Sequence, residues 1–188
     1  MRIGVLALQG AVQEHERALR RLGAEVVQVR LPVDLDGVSG LVLPGGESTV
    51  MARYLDEYGL GRAIRDRAAA GMALFGVCAG AILLCEEVDG RPGALGLLPA
   101  KATRNAYGRQ LASFEETIDS PVGRFAGLFI RAPRLEALGA TETLARRATE
   151  RGGEAVLLRY GGVLAASFHP ELSGDDRLHE YFLRLAAA

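Results

Sequence analysis

Apolar positions in the first half of the chain switch repeatedly between two periods. Arg2 to Leu8 is a short continuous apolar run of the kind that makes a buried strand, and Val12 to Leu22 follows with Val12, Ala18, Leu19 and Leu22 at helical spacing and Gly23 as a C-terminal stop. Glu25 to Arg30 is rich in valine, and Gly40 to Leu43 is another short apolar run, closed by Pro44-Gly45-Gly46. Past that turn Ser48 or Thr49 is placed to cap a helix reaching Tyr58. A further helix is predicted from Leu60 to Ala70, closed by Gly71, and Met72 to Val77 reads as the next buried strand. Strands alternating with helices in this way require right-handed crossovers, so the expected core is α/β: a doubly wound, mostly parallel sheet with flanking helices on both faces.

The second half changes character. Ala94 to Ala102, Gln110 to Ile118, Leu128 to Arg131, Glu154 to Tyr160 and Val163 to Phe168 have strand character with few helices between them, and Gly161-Gly162 is a two-residue hairpin turn. Antiparallel additions to the sheet are therefore expected. Leu178 to Ala187 closes the chain as a helix with Leu178, Tyr181, Phe182 and Leu185 on one face. No repeat, low-complexity stretch or linker intervenes, so residues 1–188 are expected to form a single domain.

Composition narrows the function. The chain is 49% hydrophobic and 24% charged, which excludes disorder and fibrous repeats. With 22 basic and 23 acidic residues the net charge is -1, leaving no positive field for a nucleic acid backbone; a small molecule or a protein is the expected partner. Ala68 to Cys85 carries no charge and has the length of a membrane span, but Gly71, Gly76 and Gly80 divide it into a helix end, a strand, a turn and a new helix, so no membrane is expected. The N-terminal apolar run is too short for a signal peptide. Cys78 and Cys85 would stand roughly 10 Å apart along one helix, too far for a disulfide. Free thiols fit a cytoplasmic protein.

Three segments carry candidate chemistry. Gly76-Val77-Cys78-Ala79-Gly80 sets a cysteine between glycines after a buried strand and before an apolar helix, the layout of a nucleophile elbow, where the turn is strained and the helix N-terminus favours a thiolate. An ordinary buried thiol remains the alternative at this point. Cys85, in the middle of the following helix, reads as core. Of the three histidines, His169 ends an apolar strand at the edge of the sheet, with Glu171 two residues on and able in an extended segment to hold the imidazole tautomer that a cysteine base needs. A capping histidine beside a solvated glutamate is the competing reading. His15 and His179 lie in amphipathic helices beside charged residues and are expected at the surface. Leu43-Pro44-Gly45-Gly46-Glu47-Ser48 can aim backbone NH groups inward, and the NH of Gly46 with that of Ala79 makes a natural oxyanion hole. Neither the cysteines nor the histidines have metal-site spacing, so no metal is expected.

Taken in order, these pieces resemble the class I triad glutamine amidotransferases, whose elbow cysteine and His-x-Glu pair match Cys78, His169 and Glu171. More narrowly the sequence is similar to the glutaminase subunits of pyridoxal 5'-phosphate synthase, the PdxT/SNO family, through Gly4 to Ala11 with Glu14-His15, Leu43 to Ser48, Arg104 to Gln110, Phe129 to Pro133 and Ser167 to Leu172. That resemblance implies a flavodoxin-like fold and no cofactor. It implies hydrolysis of L-glutamine to L-glutamate through a thioester, with ammonia passed to a synthase subunit of the PdxS/SNZ type in a large hetero-oligomer. It also implies that Gly46, Glu47, Ser48, Arg104, Ile130 and Arg131 line the glutamine pocket. The competing functions are an amidotransferase subunit serving another synthase, a cysteine hydrolase or stress-protective protein of similar architecture, and a non-catalytic scaffold.

Overall fold

The structure, a computed structural model, describes residues 1–106, 113–149 and 152–188. Its first half is β1 (Arg2–Leu6), α1 (Val12–Arg21), β2 (Glu25–Val29), β3 (Gly40–Leu43), α2 (Ser48–Glu57), α3 (Leu60–Ala69), β4 (Ala73–Val77) and α4 (Ala79–Leu84), with a 3-10 turn at Pro32–Leu35 between β2 and β3. The second half contributes β5 (Cys85–Val88), β6 (Arg91–Pro92), β7 (Leu98–Thr103), β8 (Ser113–Ser120), β9 (Gly123–Ile130), β10 (Arg134–Ala137), β11 (Glu142–Arg147), β12 (Glu154–Tyr160) and β13 (Val163–Ala166). A 3-10 turn at Pro170–Leu172 and α5 (Arg177–Ala186) end the chain.

The large sheet has the order β2-β1-β3-β4-β13-β12-β10-β7-β5-β6, with β11 also paired to β12, and β8-β9 forms a separate hairpin. The five strands from β2 to β13 are mutually parallel, whereas β12 turns back antiparallel through the Gly161-Gly162 hairpin. Alternation along each strand feeds two cores. Leu74 joins Met51, Leu55 and Ile64 on the α2/α3 side, while Ala73, Phe75 and Val77 join Leu19, Leu178 and Phe182 on the α1/α5 side. Each fully buried phenylalanine, such as Phe75 or Phe182, contributes roughly 1.5–3 kcal/mol of transfer free energy.

Several expectations need correction. β1 stops at Leu6 and β13 at Ala166, because the chain turns away from the sheet at both places to build the site. The helix after Cys78 ends at Leu84, and Cys85 begins β5 instead of lying in mid-helix. Burial pushes the Cys85 thiol up to about 12, so it is inert as a nucleophile. The short strands β5, β6, β10 and β11 carry charged or sparse apolar positions that give no clear period-2 signal. The start of the expected Gln110 to Ile118 strand lies outside the described residues, as do the last four positions of the Arg104 to Gln110 segment.

Candidate active site

Strand pairing brings the chemical groups to one end of the sheet. β4 lies between β3 and β13, parallel to both, with Leu43 opposite Gly76 and Ala166 opposite Val77. Three strands therefore end together, and the segments after them, Gly45-Gly46, Cys78 and His169, emerge side by side. β13 is an interior strand, so His169 leaves the tip of the sheet and not its edge. The β8-β9 hairpin closes over this end: Leu128 O accepts from His169 N at 2.8 Å, and Ile130 O lies 3.9 Å from Cys78 Sγ.

Cys78 itself has φ 51° and ψ -104°, a conformation that costs a side chain of L configuration about 1–3 kcal/mol. A hydrogen bond from Cys78 N to Ala166 O at 2.8 Å helps hold it. The flanking glycines are steric necessities, because a methyl group at Gly80 would stand 1.9 Å from Leu43 O and one at Gly76 would stand 2.6 Å from Gly80 O. The elbow thus lets α4 fold back onto β3 and leaves Cys78 at the rim of a cavity.

Behind the cysteine, the side chain of His169 interacts with that of Cys78. Its Nδ1 donates to Glu171 Oε1 at 2.7 Å, which leaves Nε2 as the nitrogen facing sulfur. Glu171 reaches back through the 3-10 turn begun at Pro170 and not along an extended strand. Burial opposes a charge on His169, but the hydrogen bonds to Cys78 and Glu171 together with their negative charges outweigh it and raise His169 to about 10. The imidazole is therefore an imidazolium at neutral pH.

In front lies a cavity of about 170 Å³ whose walls include Gly46, Glu47, Ser48, Ala79, Arg104 and Arg131, with Ile130 and Cys78. Every residue expected in the pocket from the resemblance lines it. Glu47, not Ser48 or Thr49, caps α2, its two carboxylate oxygens accepting from Thr49 N at 3.0 Å and Val50 N at 2.8 Å. Those backbone bonds keep its carboxyl below the usual range, so it presents a negative charge to the cavity. Arg104 is aimed by Asp89 (Nε to Oδ2, 2.6 Å) and by Thr49 Oγ1 (3.0 Å). The walls thus hold a carboxylate and two guanidiniums within one small cavity, a match for a zwitterionic amino acid.

Some participants were invisible in the sequence. Asn105 and Ile82 also line the cavity. Of the four non-glycine residues with positive φ among those described, Cys78, Asn105 and Arg131 line it and Asp89 orients Arg104. Only at Cys78, between two glycines, did the sequence point to strain; nothing around Asp89, Asn105 or Arg131 singled those positions out. Gln9 Oε1 accepts from Glu47 N at 2.7 Å and so ties the end of β1 to the Gly45-Gly46-Glu47 turn. His15 and His179, expected at the surface, are completely buried behind Glu171. Among the described residues, no group of three or more His, Cys, Asp or Glu side chains is placed to hold a metal ion and no helix is long and apolar enough to cross a membrane.

Comparison with known proteins agrees with this geometry. A protein of Thermus thermophilus named pyridoxal 5'-phosphate synthase subunit PdxT is 52% identical over 189 residues, covering 98% of this chain and 97% of the relative. The protein of that name from Deinococcus radiodurans is 50% identical over 195 residues, covering 99% and 97%. A crystal structure described as a glutamine amidotransferase superposes with a TM-score of 0.92 at 49% identity, covering 99% of each chain. Residues 5–187 match the model of the SNO glutamine amidotransferase family, and the chain belongs to that family.

Proposed function

We propose that this chain is the glutaminase of a pyridoxal 5'-phosphate synthase, hydrolysing L-glutamine to L-glutamate and ammonia with residues 1–188 acting as one amidotransferase domain. The observation that carries the reading is the pairing of the Cys78 and His169 side chains, with Glu171 Oε1 2.7 Å from His169 Nδ1, at the mouth of a cavity of mixed charge. In this reading the Arg104 and Arg131 guanidiniums hold the substrate α-carboxylate and Glu47 holds its ammonium.

The Cys78 thiolate attacks the side-chain carboxamide carbon. The resulting oxyanion is received by the NH groups of Gly46 and Ala79, the latter at the first helical position, where no intrahelical acceptor exists. His169 gives its proton to the departing nitrogen, releasing ammonia and leaving a γ-glutamyl thioester. Neutral His169 then takes a proton from water as it attacks the thioester. Glutamate leaves, and the imidazolium and thiolate are restored. The ammonia passes to a synthase subunit in a cytoplasmic hetero-oligomer; the relatives' name, a synthase subunit, supports that assignment. Docking of that partner is expected to order the Gly45-Gly46 peptide and raise the activity.

Two measurements bear on these roles. Because His169 is raised to about 10, kcat/KM is expected to fall on the alkaline side only near pH 10, as the imidazolium loses its proton. Glu171→Gln removes the negative charge that helps raise that value and leaves a weaker, neutral acceptor for Nδ1–H, so the alkaline limb should move to lower pH; an unmoved limb would assign it to another group. Arg104→Ala removes a charge-assisted contact of about 1.5–3 kcal/mol and should raise KM for glutamine roughly 10–100-fold while leaving kcat within a few-fold. Steady-state ammonia release checks both, and an unchanged KM would remove Arg104 from the pocket role.

A further inference from the structure

Behind Glu171 stand two buried histidines for which the mechanism above has no use. His15 comes from α1 and His179 from α5, and both are 0% exposed. His15 Nδ1 lies 2.9 Å from His179 Nε2. His15 Nε2 lies 3.6 Å from Glu171 Oε2, the oxygen that His169 does not use. Phe75 packs edge-on against both rings, at centroid distances of 6.4 and 5.8 Å, and fixes their planes. Neither His15 Nε2 nor Glu171 Oε2 has a hydrogen-bond partner among the described residues.

Proton counting gives this chain a direction. A carboxylate only accepts, so a neutral His15 facing Glu171 carries its hydrogen on Nε2; its Nδ1 then accepts, and His179 must donate from Nε2. The reverse tautomer would aim the bare lone pair of His15 Nε2 at the carboxylate oxygen. Burial, reinforced by His179 and His169, holds His15 well below the ordinary histidine value. Burial also takes His179 down to about 4, with Asp176 opposing and Arg21 assisting. Both rings are therefore neutral at neutral pH. A cation at His15 would compete with His169 for the charge of Glu171.

We propose that His15 is a positioning residue for the triad, donating Nε2–H to Glu171 Oε2 so that the other carboxylate oxygen stays aligned on His169, while His179 locks the required tautomer. This rests on the glutaminase reading. The 3.6 Å separation is slightly longer than a hydrogen bond, and a small rotation of the carboxylate closes it. The triad is thereby extended into a line of five side chains, Cys78, His169, Glu171, His15 and His179, joining the elbow to the first and last helices.

The test measures release of ammonia from glutamine by the full chain. His15→Leu is expected to lower kcat roughly 10–100-fold, the usual effect of losing the group that orients a reactive one, with KM within about twofold. The alkaline limb of kcat/KM should move to lower pH, as His169 loses part of its carboxylate support. His15→Gln, whose amide N–H can stand near the Nε2 position, should recover most of the loss. Wild-type kcat and an unmoved limb in folded His15→Leu overturn the proposal, whereas a wild type that releases no ammonia overturns the glutaminase reading instead. If the variants do not fold, long-range 1H–15N spectra of the wild-type histidine rings decide: neutral Nε2–H tautomers for His15 and His179 support the proposal, and an Nδ1–H or doubly protonated His15 overturns it.

Discussion

Replacing Cys78 by alanine is expected to lower glutamine hydrolysis by at least about ten-thousand-fold while leaving the fold intact. The size of the loss follows from covalent catalysis: without sulfur no thioester forms, and the remaining oxyanion donors and pocket give only the residual acceleration seen when a nucleophile is removed. The fold should survive because alanine meets the same backbone cost as cysteine at φ 51°, and among the described residues the side-chain interactions at risk are those with His169 and, at 3.9 Å, with Ile130 O. Glutamine affinity should also persist, since the charged groups assigned to substrate lie elsewhere on the cavity wall. Ammonia release, thermal unfolding and glutamine titration of the variant check the three parts together. Substantial residual turnover would mean that Cys78 is an ordinary buried thiol.

Gly80→Ala is expected to be as damaging by a different route. The new methyl group would sit 1.9 Å from Leu43 O and 2.6 Å from the carbonyl carbon, both backbone atoms, so no side chain can rotate away. α4 must instead lift from β3, and overpacking of this kind costs about 3 kcal/mol, at the upper end for small-to-large changes. In a chain of 188 residues that corresponds to a fall in melting temperature of about 6–12 °C. Activity should collapse even in molecules that remain folded, because the same shift separates the Ala79 NH from the Gly46 NH. Gly61→Ala is the control: its methyl group would meet Leu55 O at 3.5 Å, an ordinary contact, so thermal unfolding should change little. Equal melting temperatures for Gly80→Ala and the wild type would contradict the account of the elbow.

The parts of the molecule legible in the sequence are those where one physical requirement writes itself into residue type. Uninterrupted apolar runs marked β3 and β4 because strands buried on both faces need apolar residues at every position. Glycines on both sides of Cys78 marked the elbow because no other residue fits so close to the backbone of β3 and α4. The apolar run ending at His169 marked the strand that delivers the imidazole, although the extended segment expected to bring Glu171 back to it is a 3-10 turn.

What stayed hidden depends on tertiary approach. His15 and His179 sit in helices with many charged neighbours, and local sequence gives such histidines a surface reading; only the meeting of α1 with α5 over Phe75 makes them buried. Asp89 is a turn residue until the fold brings Arg104 to it, and Glu47 is a pocket residue whose capping of α2 depends on backbone NH groups that the sequence does not display. The charge balance of -1 likewise said nothing about the gathering of Glu47, Arg104 and Arg131 around one cavity.

The central claim is that sulfur at the elbow takes the γ-glutamyl group from glutamine. Quenching the chain with acid during turnover and measuring the masses of its peptides tests this directly. A γ-glutamyl group is expected on the peptide carrying Cys78 and none on Cys85, which is fully buried and held protonated. Steady ammonia release with Cys78 unmodified at every quench time, or with the adduct on Cys85, would contradict it.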